Sequence, residues 1–170
     1  MKITVRSRPT GPIDGWLFLP VRNDRDAAPA PLPRIPGVPR LPEAEWNGKT
    51  ESLGIFDGSL IFRAAPVLLD TELRQTLPEA LGTGLKRLAA REARTIAVVV
   101  PPLPKTTPDR THLLDDLMQV PDLFCHLSAP YRKNPADRGP AGFDAIQFLV
   151  AGAAEGKLLE RRLNRARILA

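Results

Sequence analysis

Cysteine, histidine and the larger aromatics are all scarce in this chain, and each shortage removes a class of chemistry. Cys125 is the only cysteine in 170 residues, so no intramolecular disulfide can form. His112 and His126 are the only histidines. With Cys125 and the Asp115–Asp116 pair they could be drawn together as metal ligands. However, adjacent Cys and His do not match a zinc spacing, and consecutive carboxylates point to different faces of a helix. Cys125 reads instead as a buried thiol, His126 as a partly buried ring, and the aspartates as a solvated helix face. No metal site is expected. The chain has one Tyr and two Trp, none of them in a basic run. The formal charge of +5 therefore lacks the stacking aromatics that nucleic-acid binding needs, and no nucleic-acid partner is expected. Long apolar runs are missing too, which excludes a membrane span. The opening MKITVRSRPTGP has no apolar signal core, so a cytoplasmic location is expected.

The usual catalytic motifs are also missing. Beyond the N-terminal segment the serines are Ser52, Ser59 and Ser128, and none sits in a G-x-S-x-G elbow. Gly82-Thr83-Gly84 has a G-x-G core, but it lies inside a helical leucine pattern rather than between a strand and a helix start. Its expected role is close packing of a helix on a sheet. There is no Walker lysine motif, and no cofactor is expected.

Hydrophobic residues make up 43% of the chain, enough for one core, and the length suits one domain over residues 1–170. With aromatics at 5%, that core should be built mainly of Leu, Val, Ile and Ala. Lys2–Arg6 alternates as an edge or half-buried strand does, and Asp14–Val21 reads as a buried strand stopped by Pro20. The segment at 23–42 carries APAPLPRIPGVPRLP, which favours an extended, polyproline-like path over the surface. It reads as a long loop, with a docking peptide for a proline-binding partner as the alternative. Asn47-Gly48 marks a turn, and Asp57-Gly58 marks a hairpin leading into Leu60–Leu69, with Pro66 as an interruption.

A helix follows. Thr76 and Glu79 have capping-box spacing with Pro78 in the first turn, and a turn at Thr71–Arg74 could extend it. Leu77, Leu81, Leu85 and Leu88 recur at helical spacing. Thr95–Val100 is a buried strand, and helix followed by buried strand is a unit of an α/β sheet. After the loop Pro101–Pro108, a helix is expected from Thr107 to about Gln119. Asp122–Leu127 is a short strand candidate, and Ser128–Gly142 is a polar loop. The last element reads as a long helix over Phe143–Leu169. Arg161, Arg162, Arg165 and Arg167 form a basic cluster on it. They are the candidate interaction surface for phosphate or an acidic partner, weighed against a plain solvated helix face.

Three stretches together resemble the N-terminal domain of the leucyl aminopeptidase family, peptidase family M17. Trp46-Asn47-Gly48-Lys49-Thr50-Glu51-Ser52-Leu53 resembles that domain's F-x-G-K-x-G-E-x-L turn. Leu60 through Pro101 resembles its strand, helix and strand. Ala153-Ala154-Glu155-Gly156-Lys157-Leu158-Leu159 is similar to its closing A-x-x-E-G-x-x-L-G helix. The chain departs from the pattern at Leu68-Leu69-Asp70, where the family has G-L-G-K, and at Glu160-Arg161-Arg162-Leu163, where it has Y-R-F. The resemblance is to a divergent member. It implies a macro-like, three-layer α/β domain with a mixed central sheet and flanking helices.

The metal-binding motifs of the family's catalytic domain, N-T-D-A-E-G-R and D-T-G-G, are absent from this sequence. The expectation is therefore a non-catalytic assembly or regulatory domain whose partner is a protein, through self-association or a separate peptidase catalytic chain. The alternative is a macro-like module that binds a small ligand, a nucleotide or phosphate. Against it, Pro-Pro-Leu-Pro after Thr95–Val100 removes backbone donors where a phosphate would need them. A complete hydrolase with an unfamiliar site is the third reading, and no turnover is expected from it.

Overall fold

Six strands form one sheet in the order β1, β8, β7, β2, β5, β4. The structure is a computed structural model that describes residues 1–26, 28–41, 50–70, 73–103, 112, 115–121 and 142–169, without the side chains of 73, 74, 153–155 and 166–169. In this sheet β1 is Lys2–Arg6, β2 Gly15–Phe18, β4 Ser52–Phe56, β5 Ser59–Arg63, β7 Thr95–Val99 and β8 Ala145–Leu149. All neighbours pair in parallel except β4 with β5. A small second sheet pairs β3 (Val21–Arg22) with β6 (Val67–Leu68). The helices are α1 (Leu73–Ala89), α2 (residues 115–121) and α3 (Ala153–Leu169). This is the expected α/β class, a mixed central sheet with flanking helices.

The hairpin between β4 and β5 follows from its sequence. Asp57 and Gly58 have φ of 47° and 76°, and Phe56 pairs with Ser59 across them. Positive φ at both central positions is the twist-matched turn that Asp-Gly favours. Asp14–Val21 is not one strand. It leaves the main sheet after Phe18, passes Leu19-Pro20 and pairs again as β3. Pro66 separates β5 from β6 in the same way.

Two expected boundaries are corrected. First, α1 starts at Leu73, so Thr76 lies inside the helix and not at its cap. Gln75 Nε2 donates to Glu79 Oε1 at 3.2 Å, an i to i+4 contact that spans Pro78. The helix ends as Glu92 turns to φ 62° and the Ala93 amide donates to the Leu88 carbonyl, a left-handed cap. Second, the long helix expected over Phe143–Leu169 is two elements. Ala145–Leu149 is β8, and the helix begins only at Ala153. β8 has a partner on each side, so its residues are buried on both faces and lose the alternation that marks a half-exposed strand.

The two faces of the sheet are covered differently. Leu17, Phe62, Ile96, Val98, Ile146 and Phe148 point to one face and pack with the α1 leucines, with Leu117 and Met118 of α2, and with Leu159 and Leu163 of α3. Trp16, Phe18, Ile61, Ala97, Val99 and Leu149 point to the other. There the proline-rich segment lies across the sheet, with Ile35 buried and Leu32, Val38 and Leu41 packed beside it. Helices, sheet and this strap make the layers. The expected surface loop is therefore a core-covering element. The core is aliphatic as expected, but Phe18, Phe62 and Phe148 are among its largest fully buried side chains.

The glycines of α1 differ from one another. A Cβ on Gly84 would lie 2.5 Å from Leu17 Cδ1 and 2.9 Å from Phe62 Cδ1, so the helix backbone sits directly on the sheet there. A Cβ on Gly82 would meet only Val120 Cγ1, at 3.9 Å. Close packing holds for Gly84 and not for Gly82. Gly84→Ala should therefore lower the free energy of unfolding by about 1–3 kcal/mol through overpacking. Gly82→Ala should leave it unchanged or raise it by up to about 1 kcal/mol. Urea unfolding of the two variants checks both. Ile35→Ala should destabilise by about 2–4 kcal/mol and open residues 28–41 to limited proteolysis, because Ile35 anchors the strap.

Candidate functional site

Arg63 is the last residue of β5 and is only 7% exposed, although it carries a charge. Alternation along β5 puts Ile61 and Arg63 on the strap side and Phe62 on the helix side. With Phe18, the last residue of β2, Arg63 forms the floor of a cavity of about 760 Å³ whose roof is the strap. Arg34 and Arg40 of the strap also line it, as do Ile35 and Val38. No Asp or Glu is among its described lining residues. The rest of the described lining is mostly apolar, so the guanidinium groups are set among Phe18, Leu32, Ile35, Val38 and prolines.

A second cavity, of about 410 Å³, is lined by Ala64, Ala65 and Pro66. Its lining mixes Arg22 with Glu51, Asp70 and Glu79, and Glu51 is itself held by Arg87 at 2.7 Å. That lining carries both signs of charge. Both cavities sit at the carboxyl ends of β2 and β5, the side of a parallel sheet where ligands bind in open α/β folds.

The amino ends of the strands are tied shut. Asp14 Oδ2 accepts from the backbone amides of Arg94 (3.0 Å) and Thr95 (2.8 Å), which fixes the start of β7 beside β2. Arg94 in turn donates to Asp144 Oδ1 at 2.9 Å, just before β8. That hydrogen bond holds the Asp144 carboxyl below the usual carboxylate range and raises Arg94 above its ordinary value. Inside the sheet, Gln147 of β8 is buried and exchanges two hydrogen bonds with the backbone of Thr10, at 2.7 and 3.0 Å.

The basic cluster on α3 divides. Arg161 and Arg165 are exposed. Arg162 is turned inward, and its Nη1 donates to Asp115 Oδ2 of α2 at 3.1 Å. Arg167 lies on α3, but its side chain is outside the described residues. So are Cys125, His126, Ser128, the Asn47-Gly48 turn and the strand candidate Asp122–Leu127. Among the described residues, no group of three or more His, Cys, Asp or Glu side chains could hold a metal ion. Their helices include none long and apolar enough to cross a membrane. Arg63 was missed at the sequence level. Its signal was a lone charge inside the apolar run LIFRAAPVLL.

No family model matches the sequence, and no curated protein matches it. Among solved structures the chain is similar to a tomato leucine aminopeptidase. That structure, of a point mutant, shares 14% identity with it at a TM-score of 0.55. The likeness covers 98% of this chain and 35% of the aminopeptidase chain, so this chain spans about a third of that protein. At this identity the similarity to the aminopeptidase shows the fold, and the fold is the one that the quoted motifs implied.

The Arg94–Asp144 pair gives a pH prediction. Because the folded state depresses Asp144, its contribution to stability is complete above its unfolded value of about 4 and is lost as pH falls through the lower folded value. Asp144→Asn should lower the melting temperature at neutral pH. The gap from the parent should close as pH drops below about 4, where the parent loses the same contact. Thermal melts over an acid series check it.

Proposed function

We propose that this chain is a single non-catalytic domain of the kind that the leucyl aminopeptidase family carries beside its catalytic domain, and that it acts by contact with a protein partner. The observation that carries the reading is the extent of the structural likeness. It takes in 98% of this chain but only 35% of the aminopeptidase. Two-metal hydrolysis needs carboxylates converging on one cavity. The larger described cavity is lined instead by arginines. In this reading the partner is a second copy or a separately encoded peptidase chain in the cytoplasm. The exposed arginines of α3, Arg161 and Arg165, supply part of the contact.

Light scattering after size exclusion, with the chain alone and mixed with a leucyl aminopeptidase catalytic chain, tests this reading. A dimer or a mixed complex weakened by Arg161→Glu with Arg165→Glu is the expected outcome. A strict monomer that binds no such chain would overturn it. So would cleavage of an aminoacyl-arylamide by the purified protein with zinc or manganese.

A further inference from the structure

We infer that β4 pairs edge to edge and antiparallel with the β4 of a second copy of this chain, so that one sheet runs through a dimer. The inference rests on the second-copy form of the assembly reading and adds a surface to it, at the opposite edge of the sheet from α3, which packs on β1. β4 is the last strand of the main sheet, with no described strand beyond it. Its inner side is fixed by the hairpin. Phe56 and Ser59 flank a two-residue turn whose central residues both have positive φ, the arrangement in which the flanking pair exchanges both backbone hydrogen bonds. The register then continues without a bulge to Ser52 opposite Arg63. Alternation along the pair therefore turns the backbone groups of Phe56, Gly54 and Ser52 toward β5, and those of Ile55 and Leu53 outward.

The two edges of the sheet are guarded differently. β1, at the far edge, carries Lys2 and Arg6 at its ends, and such charges discourage a further strand from pairing. β4 reads Ser-Leu-Gly-Ile-Phe, with no charge and no proline, and its Ile55 is 71% exposed. A copy of the same strand answers each of these features. When Gly54 faces Gly54 of the second copy, Leu53 of each chain lies opposite Ile55 of the other. These are the residues whose backbone groups point outward, so both such pairs exchange their hydrogen bonds. Glycine takes the position between them, where opposing chains come closest. The side chains of Leu53 and Ile55 share a face of the sheet, so their contact across the join covers the exposed Ile55. Beyond the strand, Asp57 of one copy falls opposite Glu51 of the other. Arg87, which donates to Glu51 at 2.7 Å, supplies a cation at that end of the pairing.

Sedimentation equilibrium over a concentration series, with amide hydrogen exchange read residue by residue, tests the inference on the intact chain. A five-residue edge is smaller than a standard interface, so the dimer should be weak, with a dissociation constant on the order of ten to a hundred micromolar. The amides of Leu53 and Ile55 should exchange freely in dilute protein and slow by about fivefold or more as the dimer fills. Those of Gly54 and Phe56, bonded to β5, should be protected at every concentration. Ile55→Lys should abolish the dimer and leave the melting temperature of the dilute protein unchanged, because the side chain is exposed. Ile55→Val should keep the dimer. Three results would overturn the inference: a monomer at millimolar concentration, a dimer that Ile55→Lys does not weaken, or a dimer in which Leu53 and Ile55 gain no protection. A dimer lost to Arg161→Glu with Arg165→Glu but not to Ile55→Lys would overturn the edge pairing and leave the assembly reading standing. An edge dimer indifferent to that α3 variant, in a chain that binds no aminopeptidase catalytic chain, would do the reverse.

Discussion

A sheet whose strands run mostly in parallel has to be shielded on both faces, and the described helices of this chain cover one of them. The remaining requirement explains the proline-rich segment. A stretch of irregular chain laid over a buried face would normally bring unsatisfied amides with it. Proline has no amide hydrogen, so Pro29, Pro31, Pro33, Pro36 and Pro39 remove that difficulty at their own positions. The residues between them can then place apolar side chains on the sheet. Ile35 is buried, and Leu32, Val38 and Leu41 are packed against the cluster that includes Trp16, Phe18 and Leu149. A composition that suggests a solvated tether thus serves as a layer of the fold, and the cavity exists because a strap covers a face less completely than a helix does.

β8 is the element through which the ends of the chain are joined. β1 meets the main sheet only along β8, in register from Lys2 opposite Ala145 to Arg6 opposite Leu149. The N-terminal strand therefore cannot be placed until the chain has reached residue 145. Polar groups fix this late join. Gln147 reaches across to Thr10, and the Lys2 amide donates to the Asp144 carbonyl at 2.9 Å. A slip of one residue would put Gln147 on the helix face, among apolar side chains such as Leu159 and Leu163, and would turn Ile146 and Phe148 away from it.

What could be read in the sequence depended on how local the cause was. Asp57-Gly58 sets its own turn geometry, so the hairpin was legible. The α1 leucines and the run at Thr95–Val99 each carry their period within one element. β8 was missed because burial on both faces erases the period-two pattern, and Phe143, Ile146 and Val150 happen to fall at helix-like spacing. The start of α1 was misplaced because Thr76, Pro78 and Glu79 imitate a cap. The strap was legible as extended but not as buried, since nothing local tells a polyproline path which face it crosses. The role of Gly84 was legible in kind, but only the packing of Leu17 and Phe62 separates it from Gly82. On α3 the basic cluster was visible, whereas the turning of Arg162 toward Asp115 depends on where α2 lies. The α/β class survived these misses because it follows from the order of the elements.

The two ends of the parallel strands differ in how their polar groups are used. At the amino end, Asp14 and Asp144 are used up in holding β7 and β8 in place. At the carboxyl end, β1 stops at Arg6, β3 at Arg22 and β5 at Arg63, while Glu51, Asp70 and Glu79 line the smaller cavity beside Arg22. The amino edge of the sheet is thus given over to keeping the sheet together, and the two described cavities open at the other edge.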